Sequence, residues 1–295
     1  MAIKNFIPTI WSENLYTELD KQYIAVKHCN REFEGDIKNC GSIVKICGVG
    51  DISVFNYNKN SDLSAPEALS DTANSLVIDQ AKCFNFQIDD IDRAQSVPGL
   101  MNAAMKVAAN ALANAADVYV YSLCESADHV VYNVAPTPEN IIDTLLEARK
   151  VLYKNNVTDN NDVVFEVSPD VAEIIIKAKI ALATDNTETL ENGCIGSVAG
   201  CKIFVSNNIA KSKEDGICSH MCLARTKRAI AFAEQLSEIN AYRPEKRFAD
   251  AVKGLHLYGA KIVYPNEMVN ITVNFPMEEY ENESGDEYGD EYGDD

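Results

Sequence analysis

The chain has 295 residues, of which 46% are hydrophobic and 24% charged, with a formal net charge of -19. That length serves one large domain or two modest ones, and the apolar content is enough to bury a real core, which excludes wholesale disorder. An acidic chain cannot neutralise phosphates over a wide surface; this argues against a conventional DNA-binding module, though not against a container whose wall must let DNA slide.

The opening Met1-Ala2-Ile3-Lys4-Asn5-Phe6 lacks a basic region followed by an apolar run, so no signal peptide is expected. The most apolar long stretch, 97–123, is interrupted by Asn102, Lys106, Asn110, Asn114 and Asp117, which argues against a membrane span. A soluble protein made in the cytoplasm is expected. Its nine cysteines are odd in number and irregularly spaced. In a cytosolic chain this pattern reads as free, mostly buried thiols.

The chain begins with an extended apolar arm, Phe6-Ile7-Pro8-Thr9-Ile10-Trp11, because Pro8 opposes helix in what precedes it. An amphipathic helix is predicted over 12–28, with Ser12 as N-cap and Tyr16, Leu19, Tyr23 and Val26 at helical spacing. A β excursion follows. Residues 42–47 and 52–57 are rich in Ile, Val and aromatics, 58–75 is polar, and 76–88 returns with Phe84, Phe86 and Ile88 alternating against Asn85, Gln87 and Asp89. Two long strands with a polar tip make a hairpin, and an isolated hairpin needs a neighbour.

A long helix is predicted over 97–123, its polar stripe formed by Asn102, Lys106, Asn110, Asn114 and Asp117 at steps of four, four, four and three. From Val130 onward the pattern is α/β. Thr137-Pro138 and Ser168-Pro169 are two cap-and-proline helix starts, leading to helices from Ile141 to about Asn155 and from Val171 to Ala178. Strands are predicted over 163–167, 201–206, 220–224, 253–264 and 268–275, and a short helix over 229–236.

Few constellations suggest chemistry. Gly48-Val49-Gly50 lacks a third glycine and runs into the strand-like Asp51-Ile52-Ser53-Val54, so it reads as a bend in the hairpin arm, not a phosphate loop. Cys218, His220 and Cys222 supply three metal-binding side chains without a second pair at zinc-site spacing, and strand alternation makes them small buried residues of one face. Asp89, Asp90 and Asp92 fall where a strand ends and a helix approaches, which favours capping and solvation over a cation site. His28, His129 and His256 have no nucleophile motif nearby. No catalytic, cofactor-binding or metal residues are assigned, and no enzymatic activity is expected.

The tail is distinctive. From Glu278 there are ten acidic residues and no basic one, and Gly285-Asp286-Glu287-Tyr288 recurs as Gly289-Asp290-Glu291-Tyr292 before Gly293-Asp294-Asp295. Dense like charge of this kind predicts disorder, with solubilisation the favoured role and docking to a basic partner the sharper one.

The order of arm, long hairpin, long helix, α/β region and returning strands resembles the major capsid proteins of tailed phages, the Hong Kong 97 fold. The resemblance spans about residues 3–275 and is carried by five stretches. They are Phe6-Ile7-Pro8-Thr9-Ile10-Trp11-Ser12 with Glu34-Gly35-Asp36-Ile37-Lys38-Asn39-Cys40-Gly41, residues 76–90, Tyr242-Arg243-Pro244-Glu245-Lys246-Arg247-Phe248, and Gly254-Leu255-His256-Leu257-Tyr258-Gly259-Ala260-Lys261. It implies an α+β fold with an N-terminal arm (1–31), an extended β-hairpin loop (32–92), a peripheral domain with a spine helix (93–129), an axial α/β domain (130–225) and return strands of the peripheral domain (226–276). The acidic tail (277–295) is not a general feature of the family. The resemblance also implies self-assembly into hexamers and pentamers of an icosahedral shell around double-stranded DNA, in a virion assembled in the host cytoplasm. The DNA would be held without sequence-specific binding and no membrane would be involved. Expected partners are a portal, a separate scaffolding protein, since no long charged N-terminal segment is present, and a possible decoration protein. A lysine-to-asparagine cross-link occurs in some relatives, and Lys59 is the natural candidate here, though an ordinary polar loop is the favoured reading. An encapsulin-like protein nanocompartment is the alternative.

Overall fold

A computed structural model describes residues 15, 17–32, 43–49, 59, 71–89, 100–159, 162–178, 194–214, 216–246 and 248–276. Its organising element is α1 (Leu100–Ser122), which ends in a 3-10 turn at Leu123–Ser126. Met105, Ala109, Leu112, Ala113, Ala116 and Val120 recur at helical spacing and are buried along one face. Its 23 residues span about 34 Å. The small alanines let a strand approach closely: the Tyr258 hydroxyl donates to the Ala115 carbonyl at 3.3 Å, and its ring meets Tyr119 edge-on.

Three sheets complete the fold. The first is the antiparallel pair β1 (Ile43–Val49) and β2 (Asp71–Val77), running from Ile43 opposite Val77 to Val49 opposite Asp71. The second is three-stranded, with β3 (Gln80–Asp89), β10 (Ile230–Tyr242) and β11 (Ala249–Ile262) in the order β10-β11-β3. The third has seven strands: β4 (Val130–Asn133), β5 (Val163–Val167), β6 (Cys194–Val198), β7 (Cys201–Val205), β8 (Lys211–Glu214), β9 (Ile217–Thr226) and β12 (Met268–Pro276). Its order is β4-β12-β9-β5-β7-β6, with β8 on β9.

Two helices flank the large sheet. In α2 (Ile141–Lys154), Ile141, Leu145, Ala148 and Leu152 face inward. In α3 (Pro169–Lys177), Ser168 caps the first turn by accepting from Val171 N, and Pro169 takes the first helical position, where its missing N–H costs nothing. The Thr137-Pro138 start forms a separate turn, and α2 itself begins after Asn140.

The structure corrects four expectations. Residues 229–236 are not a short helix: they belong to β10, because pairing with β11 and burial of Ile230, Ala231, Phe232 and Ala233 outweigh the helical leaning of an alanine-rich run. The return strand over 76–88 is two strands broken at Ile78-Asp79, the first pairing with β1 and the second with β11. The N-terminal helix is interrupted, with helical residues 17–22 separated from a 3-10 turn at Val26–His28. Asp117 does not lie on an exposed stripe but is buried. Lys106, Asn110 and Asn114 are exposed as expected.

Candidate functional site

The hairpin is seated by a small apolar cluster. Val44 and Ile46 of β1, Leu76 of β2 and Ile78 beyond it pack on Ala231, Ala233 and Leu257. Three further contacts fix its base. Lys261 Nζ donates to the Ser75 carbonyl at 2.9 Å, Tyr119 Oη donates to Asp79 at 3.0 Å, and Gly259 lies under the backbone at Val77-Ile78. A Cβ on Gly259 would sit 2.3 Å from the Val77 carbonyl oxygen, so glycine is what permits the crossing. Ile43 and Val77 remain exposed at the root of the hairpin.

The N-terminal segment is tied to the body by buried charge. Arg225 on β9 grips Glu166 on β5 through two hydrogen bonds of 2.8 and 2.9 Å, with neither side chain exposed. The same guanidinium donates to the carbonyls of Ala25 and His28, and His28 Nδ1 lies 2.9 Å from Glu166. Burial raises the Glu166 pKa, but Arg225 and His28 outweigh it and hold the carboxyl below its ordinary value. Asp117 accepts from the backbone amides of Ile24 and Val26 at 2.9 and 3.1 Å. Its pKa is pushed up to about 6 by burial, against the lowering effect of those amides. A second knot surrounds Glu234 of β10, which accepts from Tyr23 and Arg31 and meets His256 Nε2 at 2.8 Å. Residues 23–31 are thus clamped to α1, β5, β9 and β10 by charge-assisted hydrogen bonds, the strong kind.

The remaining candidates are placed as follows. Cys218, His220 and Cys222 share one buried face of β9, and no group of three metal-ligating side chains is found among the described residues. Gly48 and Val49 pair with Thr72 and Asp71 within β1, while Gly50 lies outside the described residues. Asp89 ends β3, and Asp90 and Asp92 lie outside the described residues. His129 Nε2 is 3.0 Å from the Asn155 amide. Lys59 is exposed in a turn.

One cluster that sequence reasoning missed combines Ser168, His220 and Asp170. Ser168 Oγ and Asp170 Oδ2 lie 2.8 and 3.4 Å from His220, but both approach Nδ1. A proton relay needs the nucleophile and the orienting acid on opposite ring nitrogens. Here Nε2 faces Cys218 Sγ at 3.5 Å, inside the protein. Burial lowers the His220 pKa to about 4, aided by Lys211. The cluster holds the start of α3 against β9 and has no geometry for acyl transfer. The buried acids Asp117, Glu166 and Glu234 were equally hidden in the sequence, since their partners lie 59 or more residues away, apart from His256 at 22.

No protein-family model and no curated protein matches the chain. Solved structures do. A structure from Mycobacterium phage Che8 is 28% identical, with TM-score 0.66, covering 85% of this chain and 91% of that one. The capsid of cyanophage P-SCSP1u aligns at 16% identity and TM-score 0.63, covering 83% and 86% of the two chains. A virus-like particle from Pyrococcus furiosus aligns at 12% identity and TM-score 0.53, covering 88% and 96%.

Proposed function

We propose that this chain, which has the tailed-phage capsid fold of the Hong Kong 97 type, is a major capsid protein that self-assembles into the icosahedral shell enclosing phage double-stranded DNA. The observation that carries the reading is the 28% identity to the Che8 structure across most of both chains. The physical design supports it. A two-stranded hairpin seated through a cluster of only seven buried residues, four of its own on three of the sheet, is marginal alone and would gain cover from neighbours. The buried clamp on residues 23–31 anchors the start of the chain so that the preceding arm has a fixed point of departure.

Copies of the chain itself are the main partners, grouped as hexamers and pentamers, with assembly in the host cytoplasm. A portal, a separate scaffolding protein and packaged DNA held without sequence-specific contacts complete the reading, and a decoration protein is compatible with it. The role is structural, with no reaction assigned. Electron microscopy of the expressed protein tests the reading: uniform shells or hollow tubes are expected, and a protein that stays monomeric at high concentration would overturn it. The likeness to the Pyrococcus furiosus particle favours one second reading, a nanocompartment of the same fold holding protein cargo. Nuclease-protected DNA in native particles selects the phage shell, and a co-purifying cargo enzyme selects the compartment.

A further inference from the structure

The β10–β11 hairpin ends in a tip unlike the rest of this acidic protein. Segment 242–253 carries four basic residues, Arg243, Lys246, Arg247 and Lys253, against two acidic ones, Glu245 and Asp250. Arg243 and Lys246 are exposed beyond the strand ends, and Lys253 is exposed with its ammonium 5.4 Å from the Tyr242 ring centroid. Phe248 is 83% exposed, more than any other large hydrophobic side chain among the described residues. Asp89, in register with Ala249, brings a third carboxylate to the strand ends, so attraction for an anion rests on Arg243 and Lys246 ahead of them.

A basic, aromatic tip needs a partner that is anionic and carries its own aromatic groups. The chain contains one such segment. Residues 277–295 hold ten acidic residues, no basic one, and Tyr280, Tyr288 and Tyr292 at intervals that interleave ring and charge. We propose that this hairpin tip docks the acidic tail of a neighbouring copy of the same chain, Arg243 and Lys246 meeting tail carboxylates and Phe248 meeting tail tyrosines. Chain direction favours a neighbour over the tail's own tip. The tail leaves from Pro276, which pairs with Ile217 at the start of β9, whereas the tip is reached only after all of β9 and β10. Docking across copies also makes the contact dependent on assembly, so it rests on the shell reading above, which supplies the neighbours.

The test uses the full chain. Light and isotope-heavy copies are mixed before assembly and treated with a carbodiimide, which joins lysine amines to nearby carboxylates. The expected result is Lys246 coupled to Asp or Glu within 278–295, recovered as hybrid light–heavy peptides. Their yield should fall severalfold between about 0.1 and 1 M salt as the charges are screened. Lys246→Arg keeps the charge but removes the amine, and should abolish this link while shells still form. Absence of Lys246–tail links, or links only within one copy, would overturn the proposal. So would protection of Lys246 from acetylation that disappears on nuclease digestion, which would assign the tip to nucleic acid. The links are read in whatever assembly forms, so shells without them sink the docking alone, and a lack of shells counts against the capsid reading alone.

Discussion

Arg225 and Glu166 face each other across neighbouring strands β9 and β5, joined by paired hydrogen bonds of 2.8 and 2.9 Å with both side chains fully buried. The pair also carries the start of the chain, because Arg225 reaches the carbonyls of Ala25 and His28. Removing one partner leaves an uncompensated charge in the interior, whereas removing both leaves an apolar gap. Glu166→Gln or Arg225→Met alone should therefore cost about 3–5 kcal/mol of subunit stability, and the double variant Glu166→Leu/Arg225→Met clearly less than the sum. Denaturant titration of unassembled subunits measures this, and additive losses would show that the two residues act independently.

Asp117 and His220 give the subunit opposing pH responses. The Asp117 carboxyl is raised to about 6 in the fold, above its ordinary 3.8, so its contribution is fully present below pH 3.8 and is lost as pH rises through about 6. His220 is depressed to about 4 from 6.5, so its contribution is present above pH 6.5 and is lost as pH falls through about 4. Each effect is on the order of 3 kcal/mol, and between pH 4 and 6 they largely cancel. His220→Asn should cost most near pH 7, with the difference from the parent shrinking towards pH 4. Asp117→Asn should remove the opposing slope, leaving a variant whose stability climbs more steeply from pH 4 to 6. Parallel curves for parent and variants would contradict this account.

Gly259 and Gly254 both lie on β11, yet alanine should affect them differently. At Gly259 the added methyl meets the Val77 carbonyl oxygen and the Ile78 Cα, which are backbone atoms. At Gly254 the nearest atoms it meets are those of the Phe84 ring, a side chain that can turn aside. Gly259→Ala is expected to cost about 1–3 kcal/mol and to lift the hairpin base off β11, and Gly254→Ala less. Limited proteolysis within 50–70 reads the lifted hairpin directly. Equal protease resistance in both variants would show that the close approach at Gly259 is not what seats it.

Of the nine cysteines, the seven whose side chains the structure describes are all free thiols, six of them buried and only Cys83 exposed. Burial pushes the thiols of Cys124 and Cys222 up to about 12, which keeps them protonated and slow to react. Native alkylation should label Cys83 at least tenfold faster than the six buried thiols, and full labelling of all nine should follow denaturation without reductant. A stoichiometric disulfide in the unreduced protein would contradict the reading of cytosolic thiols.

Local signals carried much of this fold. The cap-and-proline start at Ser168-Pro169 appears as read, because the hydroxyl and the amide it satisfies are three residues apart. The long helix was legible over 97–123 and is observed at Leu100–Ser122, since its apolar face repeats within the element itself. Residues 229–236 misled because alanine favours helix when nothing else decides, and here pairing with a distant strand decided. The break at Ile78-Asp79 was equally invisible, because alternation continues on both sides while the partner changes from β1 to β11. Asp117 looked like one more polar residue of a stripe. Its burial depends on two backbone amides more than ninety residues earlier, which no periodicity reveals.

On the capsid reading, the hairpin is the element whose removal should separate folding from assembly. Its base is held by Val44, Ile46, Leu76 and Ile78 on the three-stranded sheet, and all four remain when residues 58–74 are deleted. What the deletion removes from the described part of the hairpin is Asp71–Asn74, the partners of Ile46–Val49 towards the tip, together with the exposed Lys59. The main core is formed by other elements and does not include these residues. The deleted subunit should therefore unfold within about 1 kcal/mol of the parent, because surface changes away from the core seldom cost more. Its shells should fail, because a marginal two-stranded ribbon that gains cover from neighbours contributes to assembly and not to the subunit. Denaturant titration and electron microscopy of the same preparation give both answers. Closed particles of parental size from the deleted chain would show that the hairpin is dispensable for assembly, and an unfolded subunit would show that it belongs to the core.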